Sequence, residues 1–292
     1  MKIVFIFIDG VGMREPAADN PVNPEVCPAL CRLMERNCTP CDACLSVDGP
    51  PQSATGQTAM FTGVNAPLFM GRHCEGFPGP SLRKTIADGN LFTELRKRGL
   101  RVKFADAYLV DSPEELAARR FKSVTTVMAL TAPETILTES DLREDSAVMQ
   151  DITRETIRDR YPDIPAIKPE TAAEHLFSVS RGCDFTLFEY FQSDIAGHSM
   201  DYARACATLR TFDRFLSVLL RFTDASGTTF AMTSDHGNIE NMSERGHTRN
   251  PVPFIARGPR AQEMLARVKS LTDVTPALLD AMRPADPADR QW

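Results

Sequence analysis

Acidic and imidazole side chains cluster at the end of an apolar run in the last quarter of the chain. Asp235 and His236 directly follow the run FAMTS, and His247 comes after a short loop. Carboxylate oxygens and imidazole nitrogens are ligands of both zinc and manganese in proteins. Since adjacent ligands at one strand end usually share a metal with residues from elsewhere, the pattern predicts a metal site whose other ligands lie upstream.

Two upstream segments end in the same types of side chain. Asp9 follows the apolar run at residues 3–8, and Asp194 and His198 follow the apolar run at residues 185–191. Open α/β sheets bind their ligands at the carboxyl ends of the parallel strands, so we expect these side chains to meet Asp235. Taken alone, Asp9 is also typical of a residue that begins a turn.

The stretch SATGQTAMFTG, residues 53–63, offers a hydroxyl nucleophile. Its small residues pass into a helical pattern, which places Ser53 where a loop enters a helix. The backbone N–H groups and the dipole of a helix N-terminus favour an anion at such a place. A serine there is also a common N-cap, so the position by itself leaves both roles open.

Basic side chains follow Ser53 in a loop-like segment, residues 67–84. They are Arg72, His73, Arg83 and Lys84. Their closeness to Ser53 suggests that they hold a substrate phosphate. Isolated basic residues at a surface commonly bind nothing, and the sequence does not decide between the two.

Buried strands alternate with amphipathic helices through most of the chain. The predicted strands are 3–8, 43–47, 100–105, 185–191 and 228–234, and the predicted helices are 28–36, 90–98, 172–181, 204–222 and 270–282. This alternation predicts an α/β fold with a largely parallel central sheet flanked by helices. The polar tail after residue 282 adds no element.

The middle of the chain, residues 111–169, is more polar and charged than the rest. Helical patterns at residues 114–120 and 145–159 flank the threonine- and valine-rich piece SVTTVMAL. We expect a small inserted α+β cap here. The predicted domains are a discontinuous catalytic core, residues 1–110 and 170–292, and a cap, residues 111–169.

Composition excludes several classes of protein. The chain has 292 residues, of which 42% are hydrophobic and 25% charged, as in ordinary soluble globular proteins. The formal net charge of -6 argues against a nucleic-acid partner, because affinity for phosphate backbones requires excess Lys and Arg. No apolar run approaches the ~20 residues of a membrane span, and Asp9 interrupts the N-terminal run. We therefore expect a cytoplasmic protein without a membrane partner; the oligomeric state is not predictable.

Five of the eight cysteines lie between residues 27 and 44. The spacing of Cys38, Cys41 and Cys44 is compatible with an iron–sulfur or zinc site. The alternative is that Cys27 and Cys31 are small buried residues of a helix, with Cys41 and Cys44 on the next strand or turn. The absence of the usual trailing ligands favours this second interpretation.

The motifs occur in an order that resembles the alkaline phosphatase superfamily. The resemblance is greatest to the branch that contains cofactor-independent phosphoglycerate mutase and phosphopentomutase. It rests on FIDG at residues 7–10, SATGQTAMFTG at 53–63, DIAGH at 194–198, SDHGN at 234–238 and GHTRNPVPF at 246–254. These motifs cover both ends of the chain and leave the middle uncovered.

The resemblance implies an alkaline-phosphatase-like core that binds two divalent metal ions. One metal would take Asp194, His198 and His247, and the other Asp9, Asp235 and His236 together with the nucleophile. The nucleophile of the family lies at the start of a helix, ten residues before a glycine, and Ser53 with Gly63 matches that spacing. Manganese is favoured in the mutase branch and zinc in the phosphatases.

Glu189 lies five residues before Asp194, where alkaline phosphatases carry a glutamate for an accessory magnesium. The resemblance therefore implies an accessory metal at Glu189. The sequence offers no clear partner threonine for it. A structural glutamate paired with a basic neighbour is the alternative.

We expect a binuclear-metal phosphoesterase or phosphotransferase that acts on a small phosphorylated metabolite through a phosphoserine at Ser53. One alternative is a phosphomutase for phosphoglycerate or a sugar phosphate. The large arginine-rich insertion of such mutases is much smaller here, and Arg119 and Arg120 join the basic residues near Ser53 as candidate substitutes. A metal-binding protein without catalysis is a further alternative. A sulfatase is disfavoured, since C/S-x-P-x-R is absent around Ser53.

Overall fold

A single mixed sheet lies at the centre of the computed structural model, which describes residues 1–283. Within these residues its strands are β1 (Ile3–Ile8), β2 (Cys38–Cys41), β3 (Val102–Phe104), β4 (Phe185–Tyr190), β5 (Thr229–Thr233) and β6 (Val252–Arg257). Their order across the sheet is β2-β6-β5-β1-β4-β3. The neighbours β3, β4, β1 and β5 are parallel, whereas β6 runs antiparallel to β5 and to β2. The sheet is therefore largely parallel, as predicted.

Helices cover both faces of the sheet. They are α1 (Pro28–Arg36), α2 (Ser53–Thr62), α3 (Ala66–Met70), α4 (Pro80–Asp88), α5 (Leu91–Lys97), α6 (Pro113–Ala118), α7 (Val124–Leu130), α8 (Glu139–Arg143), α9 (Pro169–Arg181), α10 (Gln192–Ser199), α11 (Tyr202–Ser226), α12 (Ala261–Arg267) and α13 (Leu271–Ala281). Short 3-10 helices lie at Pro133–Thr135 and Glu155–Ile157. No helix between residues 1 and 283 combines the length and the apolar composition needed to cross a membrane.

The central strand β1 shows why the sheet is covered on both sides. Its side chains alternate between two hydrophobic cores, with Phe5 and Phe7 in one core and Val4 and Ile6 in the other. The first core contains residues of α2 and α13, and the second contains residues of α1, α9 and α11. A continuous apolar run of β-branched and aromatic residues is what a strand buried on both faces requires.

The predicted strand at residues 43–47 is wrong. The edge strand β2 ends at Cys41, and the chain then enters a loop in which Leu45 and Ser46 have positive φ angles of 53° and 59°. A strand needs extended backbone, so these left-handed residues exclude one. The predicted polar tail lies largely at residues 284–292, outside the described residues.

The middle segment, residues 111–169, is mainly helical. The piece SVTTVMAL forms α7 with Ser123 as its N-cap, and the predicted helix at residues 145–159 is reduced to one 3-10 turn. Asp145, Ile152 and Arg154 have positive φ angles, which interrupt a helix there. In the described chain, β structure in this segment is limited to isolated bridges at Val148 and Leu137.

This segment divides between two cores. Val124, Met128 and Ile136 pack into the first core, which also contains residues of α2. Leu142, Ile157 and others form a small separate cluster. The separate cluster is the part that matches an independent cap. The division into a core and a cap at residues 111–169 stays a prediction.

The cysteines near the N-terminus occupy ordinary structural positions. Cys27 and Cys31 lie at the start of α1 and on it, and Cys38 and Cys41 are the end residues of β2. All eight cysteines are free thiols. Among residues 1–283, the groups of side chains close enough to hold a metal contain no cysteine. This arrangement matches the interpretation of small packed residues.

Candidate metal centre

The topology of the sheet explains why distant residues meet. Strands β4, β1 and β5 are adjacent and parallel, so their carboxyl ends share one edge of the sheet. Asp9 follows β1, and Asp235 and His236 follow β5. Asp194 and His198 lie on α10 after β4 and not on the strand end itself; their spacing of one helical turn puts both on one helix face.

A first cluster, which we call site 1, consists of Asp194, His198 and His247. The His198 Nε2 lies 3.2 Å from Asp194 Oδ2 and 3.1 Å from His247 Nε2. The His247 Nε2 is 3.7 Å from Asp194 Oδ1. Two imidazole nitrogens facing one another beside a carboxylate have the geometry of ligands around a common ion.

The ring of His247 has a defined orientation. Its Nδ1 lies 2.9 Å from the carbonyl oxygen of Pro51. Because a carbonyl oxygen only accepts, Nδ1 carries the proton and donates it in this hydrogen bond. In the neutral ring, Nε2 then keeps a free lone pair that faces site 1, which is the tautomer that a metal ligand needs.

A second cluster, which we call site 2, contains Asp9, Asp235 and His236 and reaches Ser53. The Ser53 Oγ lies 3.0 Å from His236 Nε2. The same nitrogen lies 3.4 Å from Asp9 Oδ1 and 3.5 Å from Asp235 Oδ2. The serine hydroxyl therefore points into the cluster and not toward solvent alone.

The two sites are contiguous. The rings of His236 and His247 stack with centroids 3.5 Å apart and an angle of 14° between their planes. Ligand atoms of Asp9, Asp194 and His236 also lie within 4.8 Å of one another. Asp194 is thus close to both sites, which the sequence motifs did not indicate.

The electrostatics of the centre are unfavourable without an added positive charge. Burial, and then the carboxylates of Asp235 and Asp194, raise the pKa of Asp9 well above its usual value. Burial also raises the pKa of Asp235. Burial and then the neighbouring His247 lower the pKa of His236 to about 3. Carboxylates crowded in this way resist ionisation unless positive charge is supplied.

The residues present fit divalent metal ions. The buried Asp9 Oδ1 has no hydrogen-bond partner within the described chain. In residues 1–283, the ion pairs of Asp9, Asp194 and Asp235 involve only histidines and neither Lys nor Arg. A set of carboxylate and imidazole donors with an unused buried oxygen and no basic counter-charge is the donor set that zinc or manganese requires.

The position of Ser53 separates its two candidate roles. The N-cap of α2 is Gln52, and Ser53 is the first residue of the helix, with its hydroxyl turned to His236. Thr55 is the other hydroxyl residue near the start of α2. Its hydroxyl forms other hydrogen bonds, donating to the Gln52 carbonyl oxygen and accepting from the Cys74 N–H. Ser53 is also only partly buried, so a substrate can approach it.

Three polar residues of the centre went unrecognised in the sequence. The side-chain amide of Gln57 donates to Asp235 Oδ2 at 2.9 Å and to Asp9 Oδ2 at 3.3 Å. Asn238 donates to Asp194 Oδ1 at 2.6 Å. Glu240, whose side chain is buried, accepts hydrogen bonds from several loops of the centre. Gln57 lies one helical turn after Ser53 within the same motif, and that spacing is a signal that could have found it.

Glu189 has the partner that the sequence did not reveal. The Thr125 hydroxyl of α7 donates to Glu189 Oε2 at 2.6 Å, and Asp106 Oδ2 accepts the Glu189 N–H at 2.8 Å. Burial raises the pKa of Glu189 to about 7 and the pKa of Asp106 well above its usual value. Thr125 comes from the polar middle of the chain, where no motif identified it.

The basic residues after Ser53 fall into two groups. Arg72 and His73 line a cavity of about 430 Å³ together with Gln52, the neighbour of Ser53. Arg83 donates instead to the Pro78 carbonyl oxygen, and Lys84 pairs with Asp88 on the surface of α4.

Arg119 lines a different cavity, of about 240 Å³, that also contains Glu189. Arg120 packs over the ring of Phe121. The structure thus places Arg72 and His73 in a cavity with Gln52, next to Ser53, and Arg119 in a cavity with Glu189.

The fold, together with the side chains at the carboxyl edge of the sheet, defines a class of protein. It is an α/β protein whose largely parallel sheet brings together carboxylate, imidazole and hydroxyl groups suited to divalent cations. Solved structures show the same fold. The alkaline phosphatase from the Antarctic bacterium TAB5 has a TM-score of 0.56 at 12% sequence identity, covering 96% of this chain and 97% of that chain. The cold-active alkaline phosphatase from a psychrophilic Shewanella gives 0.57 at 12% identity, covering 97% and 100%. The predicted fold class is confirmed.

A family model described as "Metalloenzyme superfamily" matches residues 1–285, and the chain belongs to this family. It is similar to 2,3-bisphosphoglycerate-independent phosphoglycerate mutases, with 32% identity over 135 residues for Moorella thermoacetica and 31% over 155 residues for Dinoroseobacter shibae. These matches cover 44% and 47% of this chain but only 26% and 30% of the mutases. The predicted resemblance to the alkaline phosphatase superfamily, near the mutase branch, is confirmed.

Proposed function

We propose that the protein is a metal-dependent phosphoesterase or phosphotransferase that acts on a small phosphorylated metabolite through a phosphoserine at Ser53. The observation that carries the proposal is the Ser53 hydroxyl at the first position of α2, 3.0 Å from His236 Nε2 and beside the carboxylates of site 2. Family membership and the alkaline phosphatase fold support a phosphatase or mutase type of chemistry.

Two divalent ions, manganese or zinc, would occupy the centre. Asp194, His198 and His247 would hold one ion at site 1, and Asp9, Asp235 and His236 would hold the other at site 2 with the Ser53 oxygen. Bound there, the ions would lower the pKa of the serine hydroxyl and neutralise charge on the phosphoryl oxygens. Among the described residues, Asp9 Oδ1 has no hydrogen-bond partner; this and the raised pKa values of Asp9 and Asp235 support the assignment.

The residues of the chain have separate tasks in this reaction. The Ser53 oxygen gives up its proton and attacks phosphorus, the bond between phosphorus and the ester oxygen of the substrate breaks, and that oxygen takes up a proton and leaves as an alcohol. The N-terminal N–H groups of α2 favour the negative phosphoryl group at Ser53. Gln57 keeps the carboxylates of Asp9 and Asp235 in place through its amide. Transfer of the phosphoryl group to water, or to a second hydroxyl, frees Ser53.

The substrate would enter beside the cavity that contains Arg72 and His73. A cation at that position complements a phosphate or a carboxylate of a small metabolite. Arg83 and Lys84 were predicted for the same task; their hydrogen bonds to Pro78 and Asp88 make them weaker candidates. Arg119, from the cavity that contains Glu189, is a weaker candidate for the same reason, since its guanidinium donates to the Leu109 carbonyl oxygen at 2.6 Å.

A phosphomutase is the second candidate, and the similarity to phosphoglycerate mutases favours it. In a mutase, the dephosphorylated intermediate stays bound and receives the phosphoryl group back. Assaying phosphoglycerates and sugar phosphates for free phosphate and for isomers separates the two reactions. Phosphate release without isomer formation supports the hydrolase.

An accessory magnesium at Glu189 is a further part of the proposal. Glu189 and Asp106 are buried carboxylates, and Thr125 adds a hydroxyl oxygen. Oxygen donors of this kind suit magnesium better than zinc. After burial and the nearer carboxylates, the carboxylate of Glu189 also contributes to the raised pKa of Asp9.

The Ser53→Ala variant tests the proposal. We expect its phosphate release to fall by at least about 1,000-fold, because the nucleophile is removed. Metal content should stay near that of the wild type, since the carboxylates and imidazoles remain. The exposed Ser81→Ala in α4 is the matched control and should keep full activity. Full activity of Ser53→Ala would reject the phosphoserine mechanism, and an inactive wild type would support a metal-binding protein without catalysis.

A further inference from the structure

Glu240 is a buried carboxylate at the point where three loops of the metal centre meet. Its side chain has no exposed surface. The loops contain Gly12, Asn238 and Thr248, which lie shortly after Asp9, His236 and His247 respectively. None of the sequence motifs gave this residue a role.

The carboxylate is satisfied entirely by neutral donors. Its Oε2 accepts the N–H of Gly12 at 2.9 Å and the N–H of Asn238 at 2.8 Å. Its Oε1 accepts the side-chain amide of Asn250 at 3.0 Å and the hydroxyl of Thr248. Because a buried carboxylate without these bonds would be strongly destabilising, each loop is fixed relative to the others through Glu240.

The surrounding backbone is shaped to the carboxylate. A Cβ at Gly12 would lie 2.3 Å from Glu240 Oε1, and a Cβ at Gly237 would lie 2.3 Å from the same oxygen. Only glycine fits at both positions. Two glycines that approach one carboxylate so closely indicate a built site and not an accidental contact.

The loops joined by Glu240 hold ligands of both sites. Asn238 extends the network directly, since its side chain donates to Asp194 Oδ1 at 2.6 Å. The adjacent Gly237 and Thr248 also form an isolated antiparallel bridge. A change at Glu240 therefore reaches His236 at site 2 and both Asp194 and His247 at site 1.

We propose that Glu240 is a positioning residue that fixes the ligand loops of both metal sites relative to one another. The inference rests on the metal binding described under the proposed function. A glutamine cannot replace it, because every partner of the carboxylate donates and one half of a glutamine side chain is itself a donor.

Calorimetric titration of the chelator-stripped protein with Mn²⁺ tests this role without any need for turnover. For Glu240→Gln we expect the affinity for both ions to fall by about 10- to 100-fold, the usual effect of losing an outer hydrogen-bond partner of metal ligands. The exposed Glu244→Gln lies in the same loop and should bind Mn²⁺ as the wild type does. Unchanged Mn²⁺ affinity of folded Glu240→Gln would overturn the proposal.

A gentler variant covers the case in which Glu240→Gln does not fold. Thr248→Val removes one donor to Oε1 and preserves the shape of the side chain. We expect a several-fold loss of Mn²⁺ affinity in this variant, and wild-type affinity would overturn the proposal. The titration is made well below the unfolding temperature, so a purely stabilising role would leave the affinity unchanged. If the wild type binds two ions but releases no phosphate, the proposed function fails and the titrations still decide the role of Glu240.

Discussion

Replacing Glu189 by glutamine should change how the stability of the metal-free protein depends on pH. Burial raises the pKa of Glu189 from 4.5 to about 7, so between these values the folded state holds a proton that the unfolded state has lost. The free energy of unfolding therefore falls as pH rises through this window, and this cost in stability reaches its full value above about pH 7. At about 1.4 kcal/mol per pH unit, the full cost is roughly 3 kcal/mol. Glutamine carries no such cost and can still accept the hydrogen bond from Thr125.

Urea unfolding of chelator-stripped wild type and Glu189→Gln at pH 5, 6, 7 and 8 measures this effect. Other buried carboxylates and His236 also titrate, so the quantity of interest is the difference between the two free energies of unfolding at each pH. We expect the free energy of unfolding of the variant, relative to that of the wild type, to rise by roughly 2.5 kcal/mol from pH 5 to 8, since part of the full cost is already present at pH 5. The exposed Glu35→Gln in α1 is the control and should show a constant difference. A constant difference for Glu189→Gln would refute the reasoning.

The same pair of proteins tests the accessory magnesium. Mg²⁺ bound at Glu189 would need the ionised carboxylate and would offset the burial cost, so added Mg²⁺ should stabilise the stripped wild type at pH 8. The neutral amide of Glu189→Gln should remove most of that stabilisation. Equal stabilisation of both proteins would place magnesium elsewhere.

Two further variants test the packing and the sharing of ligands. Gly56→Ala should lower the free energy of unfolding by about 1 kcal/mol and weaken metal binding, because its Cβ would lie 2.9 Å from the Asp235 carbonyl oxygen and that overlap outweighs the gain in helix propensity. Urea unfolding measures this effect, and the control Gly182→Ala should be tolerated. A Gly56→Ala variant more stable than the wild type would contradict the prediction. Asp194→Asn should lose more metal than His198→Ala by elemental analysis, since Asp194 belongs to both candidate ligand groups; equal losses would confine Asp194 to one site.

The features that could be predicted from the sequence are those that depend on the residues of a single segment. The run IVFIFI has the composition of a doubly buried strand, and Asp9 follows it, so the strand and its terminal carboxylate were both predictable. The ordering of the motifs added the resemblance to a family. The same motif that identified Ser53 also contains Gln57.

The features that could not be predicted depend on contacts between distant segments or on backbone conformation. Thr125 and Glu189 are far apart in sequence and meet only in the folded chain, where α7 and β4 contribute to the same core. Leu45 has a strand-forming composition around it, yet its positive φ angle places it in a loop. Asp194 lies near both sites on α10, which begins directly after β4, whereas the sequence placed Asp194 and His198 at a strand end.

The central claim is that these residues hold two divalent ions. Elemental analysis of the protein purified without chelators tests it most directly. We expect about two equivalents of manganese or zinc per chain, with a clear reduction in Asp194→Asn. A folded wild-type protein that contains no transition metal, and takes up none when Mn²⁺ or Zn²⁺ is supplied, would contradict the account.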